Sequence, residues 1–268
     1  MPYSLKFLTR AAVVAGLAAA APLAIAQDYN PQINPADFST TITNPLFNLP
    51  VGKKLVYEAK TEDGEERIVI EITGATKTVM GVETLVYHDR VFLNGQLIED
   101  TRDYLAQDKE GNVWYFGEDV DNFENGKLKD HAGAWLAGID GAKPGIWFPA
   151  NPVAGDEYRM EFYPGEAEDM QKIVAVGETV TTKLGTFENC VRTLEWTPLE
   201  PDAQEENFYC PAAGGAVLGV NLQDGQRDEL AQLRLDGPNA TDDDGEDDDK
   251  DDDDDHDDDD DDDEDDDD

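Results

Sequence analysis

The chain is 268 residues long and carries 62 Asp and Glu against 20 Lys and Arg, a formal net charge of −42. A field of that sign repels nucleic acid and anionic membrane surfaces, so neither is an expected partner. Ser39 is the only serine beyond Ser4, and no Gly-x-Ser-x-Gly, His-Glu-x-x-His or phosphate-cradling Gly-x-x-x-x-Gly-Lys-Ser/Thr occurs, which excludes the common serine-hydrolase, zinc-protease and nucleotidase sites.

Residues 1–26 read as a secretory leader. Lys6 and Arg10 supply the positive start, Ala11 to Ala21 the apolar stretch, and Ala24-Ile25-Ala26 a small-residue cleavage pattern before Gln27. No cysteine stands at the cleavage point, and no later run reaches the 18 or so apolar residues of a membrane helix. The sequence thus predicts an exported protein, periplasmic or extracellular, with no membrane span. Residues 27–50 form a polar lead-in punctuated by Pro31, Pro35 and Pro45.

From residue 51 to 236 the pattern is that of an antiparallel β domain. Val51–Lys60 and Arg67–Thr73 flank Glu62-Asp63-Gly64-Glu65, and Ile68, Ile70 and Ile72 share one face of the second strand. Val82–Leu93 and Leu97–Ala106 flank Asn94-Gly95, a second hairpin turn, and Gln107–Asn112 turns into Val113–Phe116. Periodicity then fails from Gly117 to Gly155, a stretch with seven glycines and Pro144, Pro149 and Pro152. Trp135, Trp147 and Phe148 lie inside it, as a functional loop or as a plug for the open end of a sheet or barrel.

Strands resume at Glu157–Tyr163, Lys172–Val176, Glu178–Thr182, Thr186–Thr197, Glu205–Cys210, Ala216–Leu222 and Glu229–Leu235, with one helical turn expected near Gly165–Met170. No long helical period occurs. The expected fold is all-β, mainly an antiparallel meander forming a curved sheet or half-barrel.

Cys190 and Cys210 are the only cysteines, and export places them in an oxidising compartment. Both lie ten residues from Glu200, so a hairpin folded there sets them opposite one another, and a disulfide is expected. His88 and His131 are the only histidines of the body, too few for a three-histidine zinc site but open to one completed by a carboxylate. Glu118, Asp119, Asp121, Glu124 and Asn125 before Gly126 resemble a calcium loop in composition but not in EF-hand spacing.

Asp236-Gly237-Pro238-Asn239 stops the last strand, and residues 237–268 form an Asp-rich tail. From Thr241 onward, 24 of 28 residues are acidic, against Lys250 and His256. With almost nothing apolar to offset its entropy, such a run is expected to stay disordered. Neighbouring charges about 4 Å apart repel by about 1 kcal/mol even in water, a repulsion that hard multivalent cations relieve best. Calcium, tolerant of irregular oxygen shells, is the favoured ion, bound weakly and many per chain. The candidate ligands are Asp242, Asp243, Asp244, Glu246, Asp247, Asp248, Asp249, Asp251, Asp252, Asp253, Asp254, Asp255, Asp257, Asp258, Asp259 and Asp260. The same run would also serve as a solubilising tail, or as bait for basic proteins or a mineral surface. The body is itself acidic, with 38 acids against 17 bases over 27–240.

Two stretches resemble a group of exported bacterial β-proteins. One is Asn44-Pro45-Leu46-Phe47-Asn48-Leu49-Pro50-Val51-Gly52 with Val56-Tyr57-Glu58; the other is Phe208-Tyr209-Cys210-Pro211 before Val217-Leu218. Some of those proteins are similar to the curved half-barrel of lipoprotein carriers. The likeness spans Asn44 to Leu235, departs at Cys210 and in the tail, and implies an exported β fold with no catalytic residue. Three functions follow as expectations: an exported non-enzymatic β-protein binding calcium or other hard cations through its tail, a periplasmic carrier of a lipid or other apolar ligand, or a carboxylate-dependent hydrolase of extracellular polymer.

Overall fold

The computed structural model describes residues 29–235; the leader and the acidic tail, with its candidate cation ligands, lie outside them. The lead-in holds one 3-10 turn, Pro35–Asp37, then β1 (Phe38–Ser39), β2 (Thr43–Asn44) and β3 (Phe47–Asn48). The meander follows as β4 (Lys53–Lys60), β5 (Glu65–Glu71), β6 (Thr76–Val79), β7 (Val82–Leu93), β8 (Gln96–Asp108) and β9 (Val113–Glu124). It continues with β10 (Lys127–Asp130), β11 (Trp135–Leu136), β12 (Lys143–Phe148), β13 (Glu157–Arg159) and β14 (Glu161–Phe162). The last strands are β15 (Met170–Thr182), β16 (Gly185–Thr197), β17 (Glu200–Cys210), β18 (Gly215–Asn221) and β19 (Arg227–Leu235).

All but β2 and β3 belong to one antiparallel sheet that is nearly closed into a barrel. Its last strand returns to its first long one, β19 pairing with β4 through Glu229 opposite Glu58 and Leu230 opposite Tyr57. On the other side β9 pairs with β12, β12 with β14 over two residue pairs, and β13 with β15. That short β12–β14 join is the seam. Gly145 sits in it, where a Cβ would fall 2.2 Å from the Met160 carbonyl oxygen, so only glycine lets the strands approach.

The hairpin turns behave as their residues dictate. Asn94 and Gly95, and Asn125 and Gly126, hold positive φ at both positions, the backbone that matches strand twist. The stretch that looked aperiodic from Gly117 is instead structured. β9 runs on to Glu124 through a bulge in its pairing with β8, between Asp103 and Leu105. Two buried residues in succession, Tyr115 and Phe116, mask the alternation there. Trp135, Trp147 and Phe148 stand on strands and are buried in the core, as a plug rather than a loop. Near Gly165–Met170 the expected helical turn is a β-bridge between Tyr163 and Ala167, and β15 runs unbroken where two strands were expected.

The outer face is charged. Lys54 and Arg90 pair with Glu71, Arg102 with Asp100 and Asp121, and Arg192 with Glu178 and Glu206. A transmembrane barrel turns an apolar band outward, which this surface does not. Among the described residues no helix is long and apolar enough to cross a membrane.

Candidate functional site

The inward positions of the strands change character along the barrel. At one end they are apolar and aromatic. The lead-in folds across that end and buries Ile42, Phe47 and Leu49. Phe47 packs on Tyr87, Trp147 and Tyr209 with ring centroids 5.9, 5.7 and 6.3 Å away. The Asn44 carboxamide donates to the carbonyls of Gly111 and Pro149. Lys53, the one buried base among the described residues, donates to the carbonyls of Asn48, Ala213 and Gly214 at 2.7, 2.9 and 2.8 Å, tying the lead-in to the β17–β18 turn. Burial lowers its pKa to about 8. The recess left among Phe47, Leu55, Tyr57, Tyr87, Trp147 and Tyr209 has a free volume of about 10 Å³, room for one water and no lipid chain.

Next come tyrosine hydroxyls. Tyr115 donates to Asp103 at 2.6 Å and Tyr209 to Glu195 at 3.4 Å, while Tyr57 donates to the Ala216 carbonyl. Burial above all, with neighbouring acids adding to it, pushes the Tyr87, Tyr115 and Tyr209 phenols well above their usual range, so they stay protonated throughout the physiological span.

Beyond the tyrosines the inward positions turn acidic. Glu66, Asp89, Glu99, Asp103, Glu118, Glu161, Asp169, Glu195, Glu205 and Asp228 are all buried. Strand register explains their convergence. Glu195 stands opposite Glu205, Asn207 opposite Gly219, and Gly219 opposite Asp228. Ala59 stands opposite Glu66, and Asp103 opposite Glu118, which stands opposite Trp135. Directly paired residues point to one face, so these acids line the barrel wall together.

Their proton affinities record the burial. Glu195 accepts from Gln171 at 2.9 Å and Thr193 at 3.0 Å, yet burial still raises its pKa to about 7. Burial, then Asp228, Asp89 and Glu99, bring Glu66 to about 9; burial, with Asp224 adding to it, brings Asp228 to about 6. Glu205 lies well above the carboxylate range through burial and the nearby Asp228, Glu195 and Glu66, and Asp169 through burial and Glu161 beside it. Glu205 Oε1 has no hydrogen-bond partner among the described residues. The outer-face ion pairs leave Glu195, Glu205 and Asp228 out, although Glu206, one residue on, points outward to Arg192 at 2.8 Å.

Cys190 and Cys210 form the expected disulfide, closing the β16–β17 ladder one position beyond the Val191–Tyr209 pair. The calcium-like stretch is not a loop. On β9 Glu118 faces inward, while Asp119 pairs with Lys77, Asp121 with Arg102, and Asn125-Gly126 is a hairpin turn. His88 pairs with Asp100 and His131 with Asp121 on the outer side, and no group of three or more His, Cys, Asp or Glu among the described residues is arranged to hold a metal ion.

The acidic interior escaped the sequence reading, although a signal was present. In Glu66-x-Ile68-x-Ile70, Glu99-x-Thr101-x-Asp103-x-Leu105, Glu205-x-Asn207-x-Tyr209 and Asp228-x-Leu230, acids run in phase with the core-facing residues. Period-two reading places them inside, against the habit of assigning acids to the surface.

No protein-family model matches the chain, and no curated protein matches it. Among solved structures it is weakly similar to a "putative lipoprotein" from Parabacteroides distasonis, 12% identical with a TM-score of 0.39, over 70% of this chain and 98% of that one. A likeness of that quality carries no argument about ligand or location.

Proposed function

We propose that this chain is an exported, non-enzymatic binding protein that carries a small ligand inside its barrel. One observation carries the reading: a wall of buried carboxylates faces the barrel interior while the one buried base among the described residues, Lys53, is committed to backbone carbonyls at the other end. Burying ionisable groups is costly, and folds that retain them in a concave interior use them for recognition. The apolar-ligand version finds less support, because Phe47 and its neighbours fill the aromatic end. A polymer hydrolase finds less still, since its substrate would have to enter the barrel to reach the Glu195–Glu205 pair. Export rests on the leader pattern, and the disulfide suits an oxidising compartment.

Native mass spectrometry of the exported protein tests this. The expected result is a small-molecule adduct lost on denaturation; a bare chain mass under both conditions, from several growth media, would refute it.

The tail has a separate proposed role, carried by its composition: loose collection of calcium or similar hard cations on Asp242 to Asp260. Calcium calorimetry on the chain with and without residues 241–268 reads it, and equal uptake by both would end it.

A further inference from the structure

We propose that Asn125 is a self-modifying site. Its carboxamide converts to a carboxylate through a cyclic imide formed with Gly126, while Asn94, in the same Asn-Gly dipeptide, is protected by the fold.

The chemistry needs only the two residues. Glycine, with no Cβ, lets its backbone nitrogen approach the preceding side chain. The Gly126 nitrogen, losing its proton, attacks Cγ of Asn125. The N–Cγ bond forms, the Cγ–Nδ2 bond breaks, and ammonia leaves with that proton. Water then opens the ring. Addition at Cγ yields aspartate, and addition at the backbone carbonyl carbon yields isoaspartate, whose main chain runs through the former side chain.

The structure separates two turns that the sequence makes alike. Asn94-Gly95 and Asn125-Gly126 are both exposed two-residue hairpin turns with positive φ at each position. A Cβ built on either glycine would meet nothing within 4 Å, so the two glycines are equally unhindered. The asparagines differ. Asn94 Oδ1 accepts from the Glu65 amide at 3.0 Å, its Nδ2 donates to the Asp63 carbonyl at 3.1 Å, and the carboxamide lies against Gly64. The Asn94 amide donates to the Glu65 carbonyl at 2.8 Å. The β4–β5 turn thus clasps Asn94. No hydrogen bond among the described residues holds the Asn125 carboxamide.

The strands behind the two turns differ as well. Bringing Cγ to the glycine nitrogen takes a rotation of the main chain between them, so the hairpin tip must yield. β7 is paired on both sides to its end, with Leu93 opposite Glu66 and Gln96. β10 has four residues, pairs with β9 alone among the described residues, and shifts register between Leu128 and Asp130. Lys127, Leu128 and Lys129 are exposed. So short and uncovered an edge opens locally at little cost. Isoaspartate adds a carbon to the main chain of the turn and so loosens β10 further.

Incubation of the full exported chain, followed by peptide mapping with mass spectrometry that resolves aspartate from isoaspartate, tests this. Conversion at Asn125 should run about ten- to a hundredfold faster than at Asn94, the factor that two hydrogen bonds on a carboxamide imply. It should be faster at pH 8 than at pH 6, since the attacking nitrogen must lose its proton. The same chain, reduced and held in denaturant, should convert both positions at similar rates, which assigns the difference to the fold. Equal rates at 94 and 125 in the folded chain would overturn the proposal. So would an Asn125 that stays intact while the denatured chain converts, or a denatured chain that keeps the folded chain's ratio.

Discussion

The two ends of this barrel are built from the same strands and obey opposite rules. At the lead-in end the groups that close the barrel are satisfied, with Phe47 among three rings, Asn44 on two carbonyls and Lys53 on three, and Trp147 Nε1 is the exception. At the other end burial is just as complete, yet carboxylate faces carboxylate and proton affinities rise in response. One end supplies stability that the buried acids at the other draw on. Stability and the proposed binding role thus map to different stations along one set of strands.

The largest expected effect lies at the closed end. Phe47→Ala removes the ring that fills the aromatic cluster and should cost about 3–5 kcal/mol in denaturant unfolding. A loss under 1 kcal/mol would mean the lead-in is not a structural plug. Next, Cys190→Ala with Cys210→Ala frees a cross-link spanning 20 residues and should cost about 3 kcal/mol by chain entropy, read as a lower unfolding midpoint.

At the acidic end the sign reverses. Glu205→Gln replaces a carboxyl whose ionisation the fold opposes, and should stabilise by about 1 kcal/mol at pH 8 with little change at pH 5, in contrast to the usual loss on altering a buried polar residue. A further prediction concerns the pH profile of the parent protein. Asp228, Glu195 and Glu66 have folded pKa values of about 6, 7 and 9, above their unfolded values. Between the unfolded and folded values the native state binds more protons than the unfolded state, so stability falls as pH rises. Their contribution is therefore intact below about pH 4 and lost progressively up to about pH 9. Melting should be higher at pH 5 than at pH 8; a midpoint rising over that interval would mean these acids are not buried as a group.

Much of the fold was legible. Asn94-Gly95 between two alternating runs located β7 and β8 to within two residues, because that turn chemistry leaves few alternatives. The symmetric placement of Cys190 and Cys210 about Glu200 was enough to pair them. What failed was β9 beyond Phe116, where a bulge shifts the period by one and the glycine-rich stretch after it conceals three short strands. Of the site, each acid was visible and none was recognised, since a lone Glu66 or Asp228 reads as an ordinary surface residue.

By itself, the sequence determined the local matters: the acidic character of the chain, the all-β alternation, the turns and the cysteine pair, each set by residues near one another along the chain. Only the tertiary structure decided that Asn44–Leu49 would fill one end, that β19 would return to β4, and that acids from eight strands would share one interior. The physical reason is that a strand's period fixes which face a side chain takes, while closure of the sheet decides what that face encloses.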